Sequence, residues 1–297
     1  MKLLECSRDE LLLPLQTVSG IVERRHTLPI LSNVLLDRGE DGMTLLATDL
    51  EIQVCCKASL GSQAAATAIT TSARKLQDIL RALPAEAKIS LESTANRLQL
   101  KSGRSRFTLQ TLPADDFPRL AAGSDHVGEV SVAQGTLRAL LMHVQYAMAQ
   151  QDIRYYLNGL LLSVEGRELR VVATDGHRLA FTKTSLESEH PRHEVVLPRK
   201  AVLELSKLLA ESDAPVRIAL LGNQVRFNFG EVELFQAGFQ IYPGLVRFLP
   251  GAALGLGLIA AQKDVSLRAD DADLVDARAE RFGVVRGAIF VFHLASL

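Results

Sequence analysis

Residues Asn158–Thr182 read NGLLLSVEGRELRVVATDGHRLAFT, and residues Asn33–Val54 read NVLLDRGEDGMTLLATDLEIQV. Each stretch opens on Asn, runs through an apolar strand pattern, turns at Gly and Glu, forms a second strand and arrives at Ala-Thr-Asp. The correspondence continues outward. Ala73-Arg74-Lys75 is matched by Pro198-Arg199-Lys200, and each triplet opens an apolar-periodic segment, KLQDILRALP in one case and AVLELSKLLA in the other. AKISLES is then matched by VRIALLG, and Asn96-Arg97-Leu98 by Asn223-Gln224-Val225. Landmarks in one order, offset by about 126 residues, describe a whole domain copied once rather than a short solenoid unit.

Each copy begins with a helix. Ser7-Arg8-Asp9-Glu10 has the form of a capping box, with Ser7 as N-cap and Glu10 at the third helical position. Leu11, Leu12, Leu15 and Val18 follow at helical spacing, and Pro14 should kink or shorten that helix. In the second copy the spacing of Leu137, Leu140, Leu141 and Val144 predicts a helix over 131–149. Alternating strands with Gly-containing turns follow, then a second helix, then two or three strands. Ser72 can cap the second helix of the first copy, and Pro198 suits the first turn of its counterpart. The class is α+β, two helices per copy on antiparallel strands. LAAGSDHVG, Leu120–Gly128, is the linker.

The chain has 297 residues, 47% hydrophobic and 23% charged, which suits a soluble two-domain protein. Its formal net charge of -1 means that any nucleic-acid role requires basic residues gathered on one face. Cys6, Cys55 and Cys56 form neither a disulfide framework nor a zinc pattern, and a reducing compartment fits them. The apolar run in the opening MKLLECSRDE is too short for a signal peptide, and no apolar run is long enough to span a membrane. No nucleophile elbow, P-loop or HExxH motif is present, and no nucleophile partners Asp175 and His177, which a strand would place on one side. Catalysis, metals and cofactors are not expected.

Four strings carry a resemblance: TLPIL at Thr27–Leu31, SGRSRF at Ser102–Phe107, QDIRYYLNG at Gln151–Gly159 and ATDGHRLA at Ala173–Ala180. From Met1 to about Leu234 the chain resembles the bacterial DNA polymerase III beta sliding-clamp family. The resemblance implies a DNA clamp fold, with clamp domains over 1–120 and 129–245. It further implies a cytoplasmic, non-enzymatic processivity factor that encircles duplex DNA and tethers the replicative polymerase. The implied partners are double-stranded DNA, the polymerase III alpha and clamp-loader subunits and other clamp-motif proteins, with no membrane partner. In that family three domains make a protomer, and two protomers close head to tail into a ring.

Matched residue by residue, the resemblance places DNA contact on Arg25, Arg74, Gln151, Tyr155, Tyr156 and Lys200. A clamp that slides must hold phosphates and not bases. Arg74, in the first turn of a helix, could hold a phosphate together with backbone amides. If Tyr155-Tyr156 begins a strand, one ring faces inward and one outward. The resemblance also implies a partner-peptide cleft on the second copy, formed by Leu157, Thr174, Gly176, His177, Arg178 and Leu179. The leucines would form apolar walls, and Gly176 would let a peptide approach the backbone. Copy one keeps Ala47-Thr48-Asp49 but continues Leu50-Glu51, so the cleft chemistry belongs to copy two alone.

After Leu234 the family pattern stops. Residues 246–297 carry no third Asn…Ala-Thr-Asp and no third Arg-Lys helix, and read as an incomplete or frame-shifted third domain. Only Pro243 lies near an expected cleft wall. The family's homodimer interface needs a third domain, so weak or absent ring closure is expected. The alternative reading is a truncated interaction module that binds partner peptides without forming a ring.

Overall fold

The computed structural model describes residues 2–23, 28–39, 42–60, 66–94, 96–120, 126–221, 224–236 and 290–293. The first copy begins with strand β1 (Lys2–Ser7) and helix α1 (Arg8–Ser19). The capping box is present: the Glu10 N–H donates to Ser7 Oγ at 3.4 Å and the Ser7 N–H donates to Glu10 Oε2 at 2.7 Å. The Ser7 backbone N–H, and after it the Ser7 side chain, hold the Glu10 carboxyl below its ordinary pKa. Pro14 does not cut the helix short. Leu11, Leu12, Leu15 and Val18 are buried on both sides of it, and that shared apolar face holds the two halves in one element.

Strands β2 (Asn33–Gly39), β3 (Gly42–Thr48), β4 (Ile52–Ala58) and β5 (Thr67–Ser72) lead to α2 (Ala73–Ala82), followed by β6 (Lys88–Thr94), β7 (Arg97–Ser102) and β8 (Ser105–Leu112). Ser72 caps α2 through Lys75 N, and Ala73, Leu76 and Leu80 form the buried face. Burying each leucine contributes about 1.5–3 kcal/mol before entropy is counted. Behind the sheet Leu35, Leu46 and Phe117 pack together with Ile30, Cys55, Ala68 and Ala114.

The second copy comprises β9 (His126–Ala133), α3 (Gln134–Val144), β10 (Gly159–Thr174), β11 (Arg178–Pro198), α4 (Arg199–Leu208), β12 (Pro215–Leu221), β13 (Gln224–Phe229) and β14 (Val232–Gln236). A last strand, β15, covers Phe290–His293. Helix α3 is shorter than the spacing predicts, because Ser131–Ala133 pair with β12 as strand, Ser131 opposite Arg217 and Ala133 opposite Pro215. Pro198 is the N-cap of α4 rather than a residue of its first turn. Along β10 the register to β11 shifts on either side of Gly166, whose φ is +58°. Arg170 pairs with Glu165 there, a span that straight strand would place on opposite faces, so the strand bends sharply at Gly166.

Two compact units result: Met1–Ser124 with Gln224–Gly238, and Asp125–Asn223 with Phe239–Leu297. These differ from the sequence period, because the β13–β14 hairpin of copy two joins the unit of copy one. In the first unit the hydrogen-bonded order is β1-β6-β7-β8-β5-β2-β3-β4-β14-β13. In the second unit β9 pairs with β12, and β10, β11 and β15 form an antiparallel sheet.

Candidate functional site

The turn between β10 and β11 is built by its own side chains. Thr174 Oγ1 donates to the Arg178 carbonyl at 2.7 Å and accepts from Gly176 N at 3.1 Å. Asp175 Oδ1 accepts from the backbone N–H groups of His177 and Arg178, each at 2.9 Å, and Asp175 Oδ2 accepts from Arg178 Nε at 2.9 Å. Burial alone would raise the Asp175 pKa, but the two backbone donors and the Arg178 charge outweigh it and hold the carboxyl below its ordinary value. Asp175 and His177 therefore share a turn rather than one side of a strand, and the aspartate is fully engaged in shaping it.

Copy one builds the same turn. Thr48 Oγ1 donates to Ile52 O at 2.9 Å and accepts from Leu50 N at 3.1 Å, while Asp49 Oδ1 accepts from Glu51 N and Ile52 N. The third turn residue has positive φ in both copies: +80° for Leu50 and +89° for Gly176. Glycine takes that conformation without penalty, whereas leucine does not.

A second loop meets the turn. Asp152 accepts from Arg154 Nε at 3.0 Å and Nη2 at 2.9 Å, and from the Arg154 backbone at 2.8 Å. Hydrogen bonding to the Arg154 side chain, then to its backbone, holds the Asp152 pKa down to about 2, with a further electrostatic contribution from His177. Asn158 closes the loop: its Oδ1 accepts from Asp152 N and its Nδ2 donates to Asp152 O, both at 2.8 Å. The guanidinium so fixed lies over the glycine, since a Cβ built on Gly176 would sit 3.3 Å from Arg154 Nη2. The space above Gly176 is thus occupied by Arg154, which corrects the expectation of an open backbone approach there.

The implied cleft residues all lie in the second unit. Leu157 and Leu179 are buried beneath the surface, Gly176 and His177 are exposed, and Thr174 and Arg178 are half-buried. The Arg178 guanidinium lies 5.6 Å from the centroid of the Tyr146 ring, a cation–π contact. Three participants were missed by the sequence reading. Asp152 and Arg154 lie inside the quoted QDIRYYLNG string, where an Asp-x-Arg pair is the only signal. Tyr146 carries no local signal, because its role comes from packing. Ile153, 99% exposed beside them, adds an apolar surface.

The residues matched for DNA contact fall in both units. Arg74, exposed on α2, faces Asp78 one turn later at 4.0 Å. Arg199, its counterpart in the repeat, instead donates to the Met148 carbonyl at 3.3 Å. Gln151 is exposed, and Lys200 is half-buried in the first turn of α4. Tyr155 and Tyr156 begin a 3-10 turn, Tyr155–Leu157, and not a strand, because the Asp152–Asn158 lock curls the chain. Their rings meet edge to face at 6.0 Å, with Tyr155 58% exposed. Arg25 and Pro243 lie outside the described residues. No helix among the described residues is long and apolar enough to cross a membrane, and no cluster there could hold a metal ion.

Known proteins give the same order of domains. The family model for the DNA polymerase III beta subunit N-terminal domain matches residues 1–121, and that for its central domain matches 131–237. The beta sliding clamp of Pseudomonas aeruginosa is 49% identical over 227 residues, covering 75% of this chain and 61% of that protein. That of Escherichia coli K12 is 44% identical over 224 residues with the same coverage. The chain therefore spans about three fifths of these relatives' length. The crystal structure of the Pseudomonas aeruginosa beta subunit superposes with a TM-score of 0.78 at 44% identity, covering 85% of this chain and 69% of that one. Caulobacter crescentus pol III beta gives 0.76 at 35% identity, covering 84% and 69%. With both of its copies matched in order, and with tandem antiparallel sheets like those of the solved relatives, the chain belongs to the DNA polymerase III beta subunit, or beta sliding clamp, family.

Proposed function

We propose that this chain is a non-catalytic clamp polypeptide of DNA replication that binds duplex DNA through phosphate contacts and partner proteins through the second unit. The observation that carries the partner reading is the junction of the Thr174–Leu179 turn with the Asp152–Asn158 loop. Backbone direction and two guanidinium groups, those of Arg154 and Arg178, are fixed there by charge-assisted bonds, with Ile153, Tyr155 and Tyr146 exposed around them. A preordered polar frame with apolar neighbours suits a short extended peptide. A relative, the Pseudomonas aeruginosa clamp, has been solved bound to griselimycin, which supports ligand binding in this family.

Arg74, Gln151, Tyr155, Tyr156 and Lys200 are the proposed DNA contacts, with the replicative polymerase and clamp loader as partners in a cytoplasmic setting. The test uses a fluorescent peptide carrying a polymerase clamp-binding motif. His177→Ala with Ile153→Asp should weaken binding at least about tenfold, or roughly 1.4 kcal/mol. Unchanged affinity in a folded variant refutes the peptide site.

The family models match two domains, over residues 1–121 and 131–237, and that span favours a second reading for the DNA role: an interaction module that binds without closing a ring. Retention on circular against linear DNA separates the two. A linked ring slips off linear ends, whereas an open chain binds both forms with equal salt dependence.

A further inference from the structure

The β4 edge and the start of β11 occupy equivalent places in the repeat, since Ile52–Cys56 and Arg178–Thr182 follow the shared Ala-Thr-Asp at equal spacing. In the first unit β14 fills the β4 edge antiparallel, with Gln236 opposite Ile52, Phe235 opposite Gln53, Leu234 opposite Val54 and Glu233 opposite Cys55. In the second unit β15 fills the corresponding edge, also antiparallel. His293 stands opposite Arg178, Phe292 opposite Leu179, Val291 opposite Ala180 and Phe290 opposite Phe181. The two junctions share one register, so His293 stands where Gln236 stands and Phe292 where Phe235 stands. The sequences agree in character, Leu-Phe-Gln at 234–236 and Val-Phe-His at 291–293.

A slip of one residue would turn every side chain of the added strand to the other face, so a shared register reflects a shared constraint. Residues 237–289 contain none of the repeat landmarks that precede β14 in copy two.

We propose that Phe290–His293 is a strand-donating segment that closes the β11 edge within its own chain, doing for the second copy what Val232–Gln236 does for the first. With the β4 edge filled by β14, two copies leave one such edge over. An unfilled edge running Leu179-Ala180-Phe181 is a template for another chain. The segment is covalently tethered, so pairing in cis is favoured by effective concentration over pairing with a second copy. The inference rests on backbone register, and the edge shares Arg178 and Leu179 with the proposed peptide site.

Cysteines placed directly across the junction test it. In the full chain, Phe181→Cys with Phe290→Cys puts two thiols on facing residues, at a Cα separation that a disulfide spans. Mild oxidation at micromolar protein, followed by peptide mapping, should give an intrachain 181–290 link at a rate independent of protein concentration. The offset pair Phe181→Cys with Val291→Cys should link about tenfold more slowly, because successive strand residues face opposite sides. An interchain link, equal rates for the two pairs, or no link would overturn the proposal.

A second measurement avoids the thiols. Val291→Pro with Phe292→Pro removes at least one N–H directed at β11 whatever the phase of the ladder. Amides of Arg178–Thr182 that face the edge should then exchange about tenfold faster or more, with β9 and β12 unchanged. Unaltered exchange would equally overturn the proposal.

Discussion

Replacing Gly176 by alanine tests the turn that frames the proposed cleft. At a φ of +89° an alanine costs roughly 1–2 kcal/mol relative to the conformations it prefers. The new Cβ would lie 3.3 Å from Arg154 Nη2, so the guanidinium must yield by a few tenths of an ångström. Asp152 grips that guanidinium through two bonds, and overpacking against it adds about 0.5–1 kcal/mol. Against this, alanine restricts the unfolded chain and returns about 0.4–1 kcal/mol. The net expectation is a loss of about 1–2 kcal/mol, seen as a Tm lowered by roughly 2–6 °C. Leu50→Gly is the reciprocal control at the same turn position, φ +80° and 41% exposed. Relief of the strained leucine, about 1–2 kcal/mol, is offset by glycine's added unfolded freedom and lost partial burial, so its Tm should move by no more than about 2 °C. Differential scanning calorimetry of both variants decides. A neutral or stabilising Gly176→Ala would refute the argument that φ and Arg154 govern this site.

Asn158→Ala deletes both bonds that close the loop at Asp152; it should cost about 1–2 kcal/mol by urea titration and loosen Tyr155–Tyr156 as read by NMR order parameters. His193 titrates below its ordinary value, first through burial and then through the neighbouring His190 charge. The unfolded chain therefore takes up the proton first; stability is full above about pH 6.5 and falls as pH drops toward the folded value, a slope that His193→Leu should flatten in urea midpoints. Burial, with Glu233 next in effect, pushes the Cys55 thiol up to about 12, so iodoacetamide at pH 8 should label it far more slowly than free cysteine. Arg74→Ala should weaken DNA binding uniformly across sequences and reduce the salt slope by about one, measured by anisotropy at several ionic strengths.

Local chemistry was legible wherever local chemistry decides. Ser7 and Ser72 cap the helices they were expected to cap, because a hydroxyl and an amide three residues apart need nothing from the rest of the chain. Leu137, Leu140, Leu141 and Val144 marked a helical face, yet the start of α3 was lost to β12, whose distant pairing overrode the local pattern. A strand starting at Tyr155-Tyr156 would have split the two rings between its faces, and the Asn158 bonds across the loop curl the chain instead. Leu157, Thr174 and Leu179 could be matched by motif, but the clamp of Asp152 on Arg154 and the stacking of Arg178 on Tyr146 belong to tertiary geometry. The attachment of the Gln224–Gln236 hairpin to β4 was invisible for the same reason: alternation shows that a strand has a partner, not which one.

That attachment also sets a timetable for biosynthesis. The β4 ladder is completed by Val232–Gln236, so on the ribosome the first unit must wait while roughly 180 further residues are made, on the order of ten to thirty seconds. Through that interval Ile52–Ala58 is a nascent edge whose partner does not yet exist, and closing so long a loop is slow in its own right. A polypeptide built this way cannot complete its first unit before Gln236 is made, and a holdase that shields the waiting strand would raise its yield.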